Sequence, residues 1–75
     1  MENKFIELLA DVLEIETNLI NESLKLDVED NWDSIAILSA IALIDDAYEI
    51  QLEGEDLRNC SNPKDLYDLI SKTLE

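Results

Sequence analysis

The tetrapeptide Trp32-Asp33-Ser34-Ile35 holds the strongest chemical signal in the chain. Asp33 is of a type that accepts from the free N–H groups of a helix's first turn, which puts Ser34 at the helix start. A hydroxyl there points to solvent. The free N–H groups and partial positive charge of a helix N-terminus stabilise a phosphate ester, so Ser34 is a candidate for covalent modification through phosphate. Plain capping, where Ser is simply favoured, reads the same residue without any chemistry. Ser34 is not a candidate catalytic nucleophile, because the sequence contains no His to activate it. Ser39, Ser61 and Ser71 likewise have no base nearby in sequence. The single Cys, Cys60, allows neither an internal disulfide nor a Cys/His zinc site, and reads as a small, partly buried hydrophobe. Asp27, Glu29, Asn31 and Asp33 recur at every second position, but an EF-hand loop starting at Asp27 needs Gly sixth and Glu twelfth. Trp32 and Leu38 stand there instead, so no metal site is expected.

The whole chain bounds what that serine can serve. With 75 residues, residues 1–75 form one domain, burying roughly 60% of the surface of its unfolded chain and leaving no room for a deep catalytic cavity. Nineteen Asp and Glu against five Lys and Arg give a net charge of −14. That charge repels nucleic-acid phosphates and anionic membranes and favours partners with basic patches. It also makes a monomer the expected state. The start, Met1-Glu2-Asn3-Lys4-Phe5, lacks the order of a secretory leader, and the longest apolar stretch, Ile35–Ile44, is broken by Ser39. Together with the lone Cys60 this gives the expectation of a cytoplasmic protein.

The elements that must hold Ser34 read as all-α. Hydrophobic residues make up 47% of the chain, too many for an acidic tail, and strict strand alternation is absent. The spacing predicts a first helix over Asn3–Glu14, with Phe5, Ile6, Leu9, Val12 and Leu13 on one face and Glu7, Asp11 and Glu14 opposite. From Ile15 to Asp33 the period is lost. Ile15, Leu19, Ile20, Leu24, Leu26, Val28 and Trp32 read as anchors packing this long loop onto the core. A second helix runs from Ser34 to about Glu49. Ala36, Ile37, Ala40, Ile41, Leu43, Ile44, Ala47 and Tyr48 share its wide apolar face, with Ser34, Ser39, Asp45, Asp46 and Glu49 on the other. Ile35, Leu38 and Ala42 fall inside the polar sector, either as a docking strip or as a patch covered by another element. Ile50–Gly54 reads as a connector and Glu55–Asn59 as a short third helix. Asn62 caps a last helix with Pro63 at its first position, Asp65 in its first turn, and Leu66, Leu69, Ile70 and Leu74 as its stripe. Three longer helices and one short one, with a long first loop, make a small four-helix bundle.

In this setting the chain resembles the acyl carrier protein family from about Phe5 to Leu74. Asp33-Ser34-Ile35 is similar to the family's Asp-Ser-Leu attachment motif. It follows a long anchored loop and opens a helix that ends in Asp45-Asp46-Ala47-Tyr48-Glu49-Ile50. The segment Pro63–Ile70 looks like the family's closing helix. The resemblance implies a non-catalytic carrier. A phosphopantetheinyl transferase would take 4'-phosphopantetheine from coenzyme A and join it to Ser34 through a phosphodiester, and the arm's thiol would carry an acyl or aminoacyl group as a thioester. Asp33 matches the neighbour of the attachment serine, and Ile35 stands where the family has an apolar contact for partner enzymes. Leu38 and Ala42 continue that face, and Asp45, Asp46 and Glu49 would meet the basic surfaces of acyl-loading and acyl-transferring enzymes. Two departures point away from general fatty acid synthesis. Ala36 and Ser39 stand at positions that are often acidic, and Asn31-Trp32 replaces the usual Gly-x before Asp-Ser. A specialised lipid, cell-envelope or secondary-metabolite pathway fits better.

Within this reading the core is expected either to open between the helices, along Leu9, Ile37, Ile41 and Ile70, or to pack closely. The alternative function is an acidic helical adaptor that is never modified. A charge of −14 also means repulsion within the fold, which divalent cations relieve by loose binding to clustered carboxylates. Low millimolar Mg2+ is therefore expected to raise Tm above that in NaCl of matched ionic strength. Equal melting curves would show that the repulsion is not relieved this way.

Overall fold

The computed structural model describes residues 1–29 and 31–75, and these form four α-helices and two short 3-10 turns with no strand. Helix α1 spans Asn3–Leu13 and α2 spans Ser34–Tyr48. Helix α3 spans Gly54–Arg58 and α4 spans Pro63–Leu74. The expected all-α bundle of three longer helices and one short one is therefore the architecture found. The long loop carries the 3-10 turns, at Thr17–Leu19 and Leu26–Val28, which the sequence did not suggest.

One hydrophobic cluster joins all four helices and the loop. Phe5, Leu9 and Leu13 of α1 meet Ile37, Ala40 and Ile44 of α2, Leu57 of α3, and Leu66 and Ile70 of α4, all buried. The Phe5 and Tyr67 rings pack edge-to-face, with centroids 5.2 Å apart. Burying side chains of this size contributes about 1.5–3 kcal/mol each, which is what holds so acidic a chain folded. Leu8 and Ala10 are buried too, so the apolar face of α1 is wider than its spacing predicts.

The loop anchors divide. Ile20 and Leu26 are buried, while Ile15, Leu24 and Trp32 pack partly buried against the cluster. Leu19 and Val28 do not anchor anything: both are exposed, each the last residue of a 3-10 turn that carries its side chain outward. Leu74 is a second correction, exposed at the end of α4 one turn beyond the last buried residue, Ile70. A third concerns α3, which starts one residue earlier than predicted. Gly54 is its first helical residue and Asn59 its cap. A Cβ at Gly54 would lie 3.8 Å from Ile37 and 3.9 Å from Ile41, so the start of α3 rests directly on α2.

Cys60 is buried, as a small hydrophobe should be, and its thiol donates to the Asp56 carbonyl at 3.3 Å. Burial, with Asp65 and Asp56 adding to it, pushes the thiol up to about 11, so the thiolate is scarce at neutral pH.

Helices α1 and α2 both end on a glutamate in the left-handed region, Glu14 at φ 58° and Glu49 at φ 58°. Neither is helical, so the predicted ends at Glu14 and Glu49 are caps. The turn after α1 is closed by Ile15 N–H on the Ala10 carbonyl at 3.1 Å. A Cβ in this conformation is strained, and glycine is the usual solution. Glu14→Gly is therefore expected to stabilise the fold by about 0.5–1 kcal/mol. A thermal melt should show Tm raised by about 2–6 °C. An unchanged or lower Tm would mean that Glu14 makes up the strain elsewhere.

Candidate functional site

Asp33 caps α2 in the way its residue type suggests. Its carboxylate accepts from the Ala36 N–H at 2.9 Å, and its carbonyl takes the Ile37 N–H at 2.9 Å. Ser34 is thereby the first helical residue, and its side chain is exposed.

Two sets of contacts fix α2 against α1. At the start, the Asn31 side-chain amide donates to the Leu13 carbonyl at 2.8 Å. This ties the residue two before Asp33 to the C-terminal end of α1. At the far end, the Tyr48 hydroxyl donates to the Glu2 carboxylate at 2.6 Å, and Lys4 donates to the Ala47 carbonyl at 3.1 Å. The Lys4 ammonium also sits 4.3 Å from the Tyr48 ring centre. Burial and the Glu2 hydrogen bond hold the Tyr48 phenol protonated well above its ordinary range. A lysine on the last carbonyls also favours the negative end of the α2 dipole. The helix is fixed at both ends while the Ser34 side chain stays exposed.

The residues singled out in the sequence fall into a continuous outer face of α2. Ile35 is 77% exposed and Leu38 69%, and Ala42 is also exposed. No other element among the described residues covers them. Asp45, Asp46 and Glu49 are exposed beyond Ala42, and the four line one surface hollow. Ala36, by contrast, is buried, so that position faces the core and offers partners nothing. Ser39 is exposed.

A groove of about 570 Å³ runs beside Ser34 between α1, the end of the loop and α2. Val12, Ala36 and Leu43 give it an apolar floor, and Asp11, Glu14 and Asp33 border it. None of Leu9, Ile37, Ile41 and Ile70 lines it. Leu9, Ile37 and Ile70 are closed into the core instead, so the predicted opening is not there. Between those residues close packing prevails.

Sequence reasoning missed Arg58. Its guanidinium donates to the Ser34 hydroxyl oxygen at 2.5 Å from the last turn of α3. The only available signal was its scarcity, as the sole Arg in a chain with five cations. Nothing local in the sequence signals the bond from Asn31 to the Leu13 carbonyl, 18 residues away.

These groups suit a phosphorylated arm. Ser34 offers an accessible hydroxyl, its one side-chain hydrogen-bond partner among the described residues is a cation, and the neighbouring Asp33 carboxylate is engaged with a backbone N–H. A sequence family described as the phosphopantetheine attachment site matches residues 3–70. The chain belongs to that family. It is a phosphopantetheine carrier protein, and the family's prosthetic group is covalently attached 4'-phosphopantetheine. No curated protein matches the chain significantly. Among the described residues, no helix is long and apolar enough to cross a membrane.

The Asn31–Leu13 bond joins the approach to Ser34 onto α1, and breaking it strands a part-buried carbonyl. Asn31→Ala is expected to cost about 1 kcal/mol. For a domain of this size Tm should fall by about 4–8 °C. A Tm unchanged within error would show that the loop is held without it.

Proposed function

We propose that the prosthetic group joins at Ser34 and that residues 1–75 act as one carrier domain for acyl or aminoacyl groups. The observation that carries this is an exposed serine hydroxyl at the first residue of α2, in a chain matched by the family over residues 3–70. In the loading step the Ser34 oxygen bonds to the phosphorus of coenzyme A's pantetheine-side phosphate, and the pyrophosphate P–O bond breaks. The hydroxyl proton goes to a base of the transferase, and adenosine 3',5'-bisphosphate leaves. The transferase must supply that base, since the chain has no His and the group on the Ser34 oxygen is a guanidinium. Once bound, the arm supplies a thiol that holds its cargo as a thioester.

The chain's own residues then serve recognition. Ile35, Leu38 and Ala42 offer partners an apolar strip directly after the attachment point. Asp45, Asp46 and Glu49 extend it with negative charge, which speeds encounter with basic transferases and acyl-handling enzymes. The exposed Ser39, at a position where the family is often acidic, supports a specialised pathway rather than general fatty acid synthesis; the buried Ala36 carries no weight in this. A monomer in the cytoplasm is the setting that fits this charge.

Incubation with coenzyme A, Mg2+ and a broad-specificity phosphopantetheinyl transferase tests the assignment. Intact mass should rise by one phosphopantetheine in wild type and not in Ser34→Ala, which should fold normally. A folded wild type that gains nothing, under this enzyme and in cells of its source, would favour the unmodified adaptor.

A further inference from the structure

Among the described residues, Arg58 is the one cation placed on the serine. The other four cations are Lys4, Lys25, Lys64 and Lys72. Lys4 closes the end of α2, and Lys64 pairs with Asp68 at 3.2 Å. Arg58 instead spends its guanidinium on a neutral hydroxyl, 24 residues away in sequence and on another helix. Such a bond between exposed groups gives the unmodified protein little. Its geometry suits a stronger partner. When the Ser34 oxygen becomes an ester oxygen, a phosphodiester with one negative charge is attached at the atom that Arg58 already meets. Guanidinium groups bind phosphate oxygens with two parallel N–H donors, more strongly than they bind a neutral hydroxyl.

Without a counter-charge, that added charge would join a chain already at −14. Asp33 lies next to it in sequence, and Glu55 and Asp56 occupy the first turn of α3. We infer that Arg58 is a positioning residue for the prosthetic group: it pairs with the phosphodiester on Ser34 and so ties α3 to the start of α2 more strongly in the modified protein than in the unmodified one. The inference rests on the attachment at Ser34 proposed above. It gives α3 two states of tethering, weak before modification and strong after it. Modification thereby changes the stability of the helix next to the docking strip, as well as adding an arm.

The test is a cycle of four melts, on unmodified and modified wild type and unmodified and modified Arg58→Gln, with modification checked by intact mass. Modification is expected to raise Tm about 2–5 °C more in wild type than in Arg58→Gln. That excess should shrink in 0.5 M NaCl and be partly kept in Arg58→Lys, which retains the charge without the fork. A merely structural arginine would lower both Arg58→Gln melts equally. Equal holo-minus-apo differences in wild type and Arg58→Gln would overturn the inference and leave the Ser34 assignment standing. The 31P resonance of the modified protein gives a second reading and should differ between wild type and Arg58→Gln. A wild type that cannot be modified at Ser34 overturns both.

Discussion

The Asp33 carboxylate on the Ala36 N–H decides where α2 begins, and the site follows from that start. A helix turns about 100° per residue, so fixing its start and burying its inner face together fix which residues face outward. With the cap in place, Ser34 stands at the first position. Ile35, Leu38 and Ala42 then come round on the solvent side, and Ala36, Ile37 and Ala40 turn inward. The contacts of Asn31 with Leu13, and of Tyr48 with Glu2 and Ala47 with Lys4 at the start of α1, keep this rotation from drifting. The outer face of α2 can therefore stay bare, because the helix is held by its inner face and its two ends.

Charge is distributed on the same logic. Most of the acidic residues are exposed, and no charged side chain among the described residues is buried. The few cations stand where a positive charge is most effective. Lys4 and Lys72 lie at the ends of α2 and α4, where the helix dipoles are negative, and Arg58 lies on Ser34. The exposed Lys64–Asp68 pair adds little to stability. Cohesion comes from the apolar cluster, and the surface charge stays in water.

The helical period made the inner faces readable. Phe5, Leu9, Leu13, Ile37, Ala40, Ile44, Leu66 and Ile70 all lie where their spacing puts them. The caps were legible for a local reason, since Asp33 and Asn62 bond to N–H groups three residues on. The loop obeyed no period, so hydrophobicity alone could not separate the buried Leu26 from the exposed Val28 two residues later. What separates them is the 3-10 turn and the bond from Leu26 N–H to the Ser61 carbonyl at 2.8 Å, a contact between distant segments. Arg58 was hidden for the same reason. Its partner is 24 residues away, and α3 is too short to announce its own orientation. The motif was local and readable, while the groups around it come from elsewhere in the chain.

Trp32 is the chain's only indole, partly buried against the core two residues ahead of Ser34. Its two possible optical competitors are Tyr48, at the other end of α2, and Tyr67, on α4. Light at the red edge of indole absorption excites neither. The colour of Trp32 emission thus follows the polarity at the approach to Ser34 alone. The protein carries an intrinsic fluorophore two residues from Ser34, and a change of polarity there is readable in solution without a dye.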